Sequence, residues 1–309
     1  MTNTEEKKTT TNFRSGYVAL IGEPNVGKST LMNVLLGQKI SIVTSKPQTT
    51  RHKILGILSK DNYQVIFLDT PGLLTPRYLL HKVMMDSASS AIADADLILF
   101  MIDASAVGVN KENHHSVGIE ILKNIKKNVC LIINKTDLSN GVNIHSVITY
   151  FSKKFAFKNI IPISALQRIG IEELMMSIVN ELPEHPPFYP VDFVSERSER
   201  FFVSEIIREK IIDKFRDEIP YSVAVEIIEF KEREGRKDFI SAEIYVERQS
   251  QKGILIGKSG KALKDIGELA RKDIESFLSR PVYLELHVKV RINWKEKEQW
   301  LRRFGYYES

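Results

Sequence analysis

Six short, continuously apolar runs punctuate the first 182 residues, and their alternation with helix-length intervals constrains the fold more than any other feature of the chain. The runs cover 17–21, 54–58, 65–68, 97–102, 129–133 and 160–163 and are rich in β-branched residues. Strands this uniformly apolar are buried on both faces, which is the situation of a parallel sheet covered by helices. The intervals 29–36, 79–93, 113–127, 144–155 and 171–182 carry the helical pattern. The reading is a doubly wound α/β domain with a mostly parallel sheet, ending near Leu182. The longest run, 97–102, has six residues, far short of the roughly 20 that span a bilayer. The single cysteine, Cys130, lies inside such a run and reads as a core residue. With no partner for a disulfide or zinc cluster and no apolar leader, the expectation is a protein of a reducing compartment.

A break follows the sixth run. Four of the eleven prolines, Pro183, Pro186, Pro187 and Pro190, fall within eight residues, as expected of a stiff, extended spacer. The organisation expected is a disordered polar tail (1–14), an α/β domain (15–182), a proline-rich linker (183–198) and a second domain (199–309). That last domain reads α-β-β-α-α-β: helix 199–215, strands 223–230 and 239–246, two helices around residues 257–260, strand 282–290, then a charged segment.

Immediately after the first strand stands GEPNVGKS, residues 22–29, which fits G-x-x-x-x-G-K-[ST] in its strand–loop–helix setting. The loop Gly22, Glu23, Pro24, Asn25, Val26 and Gly27, with Lys28, Ser29 and Thr30, would wrap phosphates: backbone amides point inward and a helix begins there. Lys28 would bridge β- and γ-phosphates, and Ser29 would be a Mg²⁺ ligand. Asp69, Thr70, Pro71 and Gly72 read DTPG at a strand end, where Asp69 can hold Mg²⁺ through water and the Gly72 amide can face the γ-phosphate. Asn134, Lys135 and Asp137 belong to NKTD after the fifth strand. An ionised Asp137 accepts from N1–H and the 2-amino group of guanine, a pairing adenine lacks. Asn134 would brace the loops, the stem of Lys135 would cover the base, and Ser164–Ala165 would offer an amide to guanine O6. The nucleotide is therefore GTP or GDP.

Residues 45–52, SKPQTTRH, occupy the place of a switch loop, with Thr50, less favourably Thr49, completing the Mg²⁺ shell. Lys28, Thr50 and Gly72 are the catalytic candidates. Leu73 stands where a water-orienting glutamine is familiar, so turnover should be slow. No arginine is placed by the sequence as a finger, Arg51 alone being left open. Asn25 is a candidate ligand of a K⁺ ion beside the phosphates.

Residues 184–309 carry 24 basic and 24 acidic residues, so distribution matters more than net charge. Arg248, Lys252, Lys258, Lys261 and Lys264 precede the next acid, Asp265, and surround GKSG at 257–260. In this element order the loop fits the GXXG of a type II KH domain, which clamps single-stranded RNA. Gly253, Ile254, Ile256, Gly257, Lys258, Ser259, Gly260, Lys261 and Lys264 are the expected contacts, with Ile254, Leu255, Ile256 and Leu263 flooring the groove. A second basic cluster, Lys289, Arg291, Lys295, Lys297, Arg302 and Arg303, is interleaved with Trp294 and Trp300; it reads either as more RNA surface or as a helix whose tryptophans anchor in the core. His81, His114 and His115 read as surface residues.

GEPNVGKST, KPQTTRH, DTPG, NKTD, ISAL, GKSGKALKDIG and INWKEKEQWLRRFGY together resemble the Era family of ribosome-associated GTPases from residue 17 to 306. The resemblance implies binding of the 3′ end of 16S rRNA and of the 30S ribosomal subunit during its maturation, in a cytoplasmic monomer with some peripheral contact to the inner membrane. The rival readings are a GTPase of RNA modification, which wants a further catalytic cysteine or cofactor site, and a membrane-surface GTPase using the basic C-terminus.

Overall fold

The computed structural model describes residues 13–106, 116–139 and 143–307. Six strands form one sheet in the order β2-β3-β1-β4-β5-β6. They are β1 (Arg14–Gly22), β2 (Ile54–Ser59), β3 (Tyr63–Asp69), β4 (Leu97–Asp103), β5 (Asn128–Asn134) and β6 (Ile160–Pro162). All neighbours are parallel except β2, which pairs antiparallel with β3 because only Lys60–Asn62 joins them, too few residues for a crossover. The sheet is covered by α1 (Lys28–Leu36) and α5 (Ile171–Glu181) on one face, and by α2 (Leu79–Asp94), α3 (Ser116–Lys123) and α4 (Ile144–Ser152) on the other. Strand β4, LILFMID, is buried from Leu97 to Ile102, as its uninterrupted apolar run requires. Arg14 lies in β1, paired with Tyr63, so the strand starts inside the stretch expected to be a tail; residues 1–12 lie outside the described residues, as do His114 and His115.

The proline-rich segment is no free spacer. Gln64, fully buried, accepts from Phe188 N and Tyr189 N and donates to Tyr189 O, while Val194 O accepts from Ile57 N at 2.8 Å. Ser15 N donates to Pro183 O, and its hydroxyl to Pro186 O. Prolines remove competing donors, and the carbonyls left over are strapped to the first domain.

Beyond it lie α6 (Glu199–Lys214), a one-turn α7 (Ile219–Ser222), β7 (Ala224–Lys231), β8 (Asp238–Val246), α8 (Gln249–Ile256), α9 (Lys261–Leu278), β9 (Val282–Val290) and α10 (Glu298–Arg303). Strand β8 is central, antiparallel to β7 and parallel to β9. Its core is Val203, Ile207, Ile211, Ile240, Ile244, Ile266 and Ile274 with their neighbours. A further apolar cluster joins the domains: Leu80, Val83 and Met84 of α2 meet Tyr245, Trp294, Leu301 and Tyr306. Trp294 is fully buried there, with Nε1 donating to Ser222 O at 2.9 Å. Burying an indole costs little once its one donor is matched. Among the described residues no helix is long and apolar enough to cross a membrane.

Candidate nucleotide and nucleic-acid sites

The ends of β1, β3, β5 and β6 bring the first domain's motifs to one edge of the sheet, the position at which doubly wound sheets bind ligands. Gly27 has φ 102°, and a Cβ there would stand 2.2 Å from Asn134 Nδ2, so only glycine lets the loop pass the NKTD strand end. Asn134 Nδ2 donates to Val26 O at 2.8 Å and its Oδ1 accepts from Ala165 N at 3.0 Å. One side chain thus ties the phosphate loop to the last loop, as expected. Through the same bond the Ala165 amide is directed at Asn134. Ser164 Oγ donates to Asp137, whose carboxylate is exposed at the mouth, and Lys135 pairs with Asp103 at 2.7 Å.

Two adjoining cavities share Gly27, Thr30 and Lys135. The first, about 270 Å³, is lined by Pro24, Asn25, Lys28, Ser29, Thr50 and Gly72. The second, about 410 Å³, is lined by Asn134, Asp137, Ala165 and Leu166, and also by Asp213 of α6. Val43, Thr44 and Ser45 wall both; Val43 and Thr44 lie just before the loop singled out in the sequence, which Ser45 begins. Lys28 Nζ donates to Gly22 O and Glu23 O at 3.0 and 2.9 Å, and burial pushes its ammonium down to about 8. A phosphate cluster would push it back up.

Ser29 Oγ donates to Asp69 Oδ2 at 2.7 Å and lies 2.8 Å from Thr50 Oγ1. Asp69 Oδ1 is buried and has no hydrogen-bond partner among the described residues, and burial raises this carboxyl above the ordinary aspartate range. Thr49 Oγ1 turns instead to Lys46 O, so Thr50 is the hydroxyl at this corner. Asn25, at φ 64°, donates to Ser45 O. Thr70 is fully buried, its hydroxyl on Leu20 O, and faces away from both cavities' linings. Leu73 is core, 2 % exposed, with its amide on Gly22 O.

The switch segment is not the polar loop its composition suggests. Thr49, Thr50, Arg51 and His52 are all buried. Arg51 is committed to Val223 O and Pro220 O at 2.7 and 2.9 Å, which removes it as a finger in this arrangement. His52 stacks on Tyr306 at 4.4 Å, and burial drives its imidazole down to about 3. His81 is buried too, against Tyr78 and bonded to Gln48, contrary to its reading as a surface residue.

In the second domain, α8 ends at Gly257 with φ 73°, where a Cβ would come within 2.7 Å of Ala262 Cβ. A short turn, Lys258–Gly260, with Ser259 left-handed at φ 51°, leads into α9. Lys258, Ser259, Lys261 and Lys264 are exposed, and Ile254 is 56 % exposed beside them. Among the described residues Lys252, Lys258 and Lys261 form no ion pair, whereas Asp265 is held by Lys214 at 2.8 Å. Leu255, expected in the groove floor, is fully buried core. The second basic cluster is largely neutralised: Lys289, Lys295, Arg302 and Arg303 pair with Glu243, Glu247, Glu298 and Glu226. Trp294 is in the core and Trp300 packs on Tyr245, so the anchoring alternative holds.

Fold and site define a guanine-nucleotide-binding α/β domain joined to a KH domain. Residues 17–135 match the family described as 50S ribosome-binding GTPase, and residues 218–295 match the KH domain family. The chain is similar to the GTPase Era of Geotalea uraniireducens (strain Rf4), with 46% identity over 294 residues, 95% of this chain and 98% of that one. It is likewise similar to the chloroplastic GTPase ERA-like protein of Arabidopsis thaliana, 47% identical over 297 residues, 96% of this chain and 69% of that one. A crystal structure of an Aquifex aeolicus Era variant bound to GDP.AlF4- aligns with TM-score 0.89 and 41% identity over 95% of this chain and 99% of that one. The structure of Era in complex with MgGDPNP and nucleotides 1506-1542 of 16S ribosomal RNA aligns with TM-score 0.87 and 40% identity, covering the same shares. The chain belongs to the Era family of GTPases.

Proposed function

We propose that this GTPase is a switch that binds the 3′ end of 16S rRNA and the small ribosomal subunit during its maturation, in the cytoplasm and as a monomer. The reading is supported above all by an open GKSG groove, with Lys252, Lys258 and Lys261 in no ion pair among the described residues, on the same chain as a guanine-nucleotide site. It is supported as well by the relative solved with 16S nucleotides 1506-1542. Functional units are assigned as 15–182 for the GTPase domain, 183–198 for the linker and 199–309 for the KH domain.

Gly22 to Thr30 wrap the phosphates, Lys28 placing its charge between the β- and γ-groups. Ser29 and Thr50 are the direct Mg²⁺ ligands and Asp69 the water-mediated one; the orphaned Asp69 Oδ1 suits a cation at this corner. Bound Mg²⁺ supplies neutralisation of charge on the phosphate oxygens. Gly72 offers its amide to the γ-phosphate, and Asp137 selects guanine. Asn25 is assigned to a K⁺ ion beside the phosphates. With Leu73 buried in the glutamine's place and Arg51 facing the second domain, unstimulated turnover is slow, on the order of 10⁻⁴ s⁻¹ or below.

The test is anisotropy of a labelled strand matching the 16S rRNA 3′ end against a scrambled strand of equal composition. Binding about tenfold tighter to the matched strand is expected; equal affinity for both overturns the rRNA assignment.

A further inference from the structure

Residues 39–52 are fastened along their length by α6 and α7. Glu209 pairs with Lys39 at 2.6 Å and accepts from Val43 N at 3.2 Å. Lys46 Nζ donates to Ile212 O and Phe215 O, carbonyls that the end of α6 leaves without helical partners. Arg208 is 2 % exposed, locked on Glu205 at 2.7 Å, and donates to Thr49 O at 2.6 Å. Arg51 donates to Pro220 O and Val223 O. Thr50 is therefore gripped through both chain neighbours by the second domain, while its hydroxyl reaches Ser29 at 2.8 Å on the nucleotide side.

We propose that the KH domain positions the hydrolytic site of the other domain: Arg208, with Lys46 on the end of α6, holds the backbone of residues 46–51 so that Thr50 Oγ1 stays at the Ser29–Asp69 corner. Arg208 is a positioning residue that acts through Thr50. The inference rests on the reading of that corner as the Mg²⁺ site. A free loop has to be ordered again at each turnover, at a cost in chain entropy; a loop clamped by a buried guanidinium and a helix end is ordered beforehand. GDP lacks the γ-phosphate through which a switch loop is recruited, so the clamp acts on GTP hydrolysis and spares GDP binding. The GTPase and RNA-binding halves are then one catalytic unit, and motion of the KH domain loosens Thr50 directly.

GTP hydrolysis by the full chain is measured at saturating GTP across a Mg²⁺ series, with GDP affinity as the control for an intact pocket. Lys46→Met, at a partly exposed position, is expected to lower kcat and raise the half-saturating Mg²⁺ about threefold. Arg208→Met strands the buried Glu205 carboxylate, so it is made together with Glu205→Gln; a change of about tenfold in both quantities is expected. GDP affinity stays within about twofold in each. Thr50→Ala is run alongside. If Thr50→Ala leaves the Mg²⁺ dependence unchanged, the metal corner is misread. If Thr50→Ala shifts it while Lys46→Met and the double variant hydrolyse like the parent, the positioning role is overturned. Should the double variant not fold, Lys46→Met decides alone.

Discussion

The nucleotide site and the RNA groove are built on opposite plans. In the nucleotide site several polar groups are already matched within the protein: Lys28 to two carbonyls, Ser29 to Asp69, and Asn134 to both Val26 and Ala165. A ligand there must replace bonds the protein makes with itself, so geometry decides and selectivity is steep. In the groove, Lys258 and Lys261 stand exposed and Lys252 half-buried, without ion pairs among the described residues, around a left-handed turn beside a bare isoleucine. Binding there draws on charge and on close backbone approach, and it follows the salt concentration. The seam between them buries Arg51, His52, Arg208 and Trp294.

The sharpest break of this contrast is at the base. Asp137→Asn turns the acceptor pair for N1–H and the 2-amino group into a mismatched carboxamide, so GTP affinity falls about 10⁴-fold while xanthosine triphosphate gains. A nucleotide competition assay reads both; retention of GTP affinity would mean that Asp137 does not face the base.

The seam comes next. His52 is buried neutral and titrates near 3, while an unfolded histidine titrates near 6.5. Between those values the unfolded chain binds the extra proton, so this contribution is complete above pH 6.5 and fades as the pH falls toward 3. Its size is on the order of 5 kcal/mol. Urea unfolding across this range should be less acid-sensitive in His52→Phe, which keeps a ring against Tyr306; parallel curves for the two proteins would refute the burial argument.

In the groove, Gly257→Asp places a Cβ against Ala262 and a negative charge among phosphates. RNA affinity drops about a hundredfold with GTP affinity unchanged. RNA binding within about twofold of the parent would remove the groove assignment. The smallest effects sharpen the electrostatic side: Lys258→Gln and Lys261→Gln each flatten the slope of log affinity against log salt by about 0.7. A salt slope that neither change alters places the phosphates elsewhere.

The same contrast explains what could be read in advance. The phosphate, DTPG and NKTD segments are local motifs at strand ends, so order along the chain was enough to bring them together. Strand β2 turned antiparallel because three residues cannot carry a crossover, which loop length does signal. The seam was illegible for a physical reason. Arg208 and Glu205 at i and i+3 look like any surface pair until a second domain covers them, and KPQTTRH is polar in composition yet buried at its end. Trp294 could be core or stacking platform until α2 was seen beneath it. Val43, Thr44 and Ser45 wall the nucleotide cavities through their place in a long loop, which no spacing rule reports.

If the clamp acts as proposed, nucleotide and RNA are read by one mechanical unit. In the arrangement described here Thr50 is at the metal corner, the loop is docked on α6 and α7, and the lysines of the groove are open. The direct measurement is affinity for a labelled 16S rRNA 3′ strand with a non-hydrolysable GTP analogue, with GDP, and with neither. Binding about tenfold tighter with the analogue than with GDP is expected. Equal affinity in all three states would leave the RNA contact standing and contradict its control by the nucleotide.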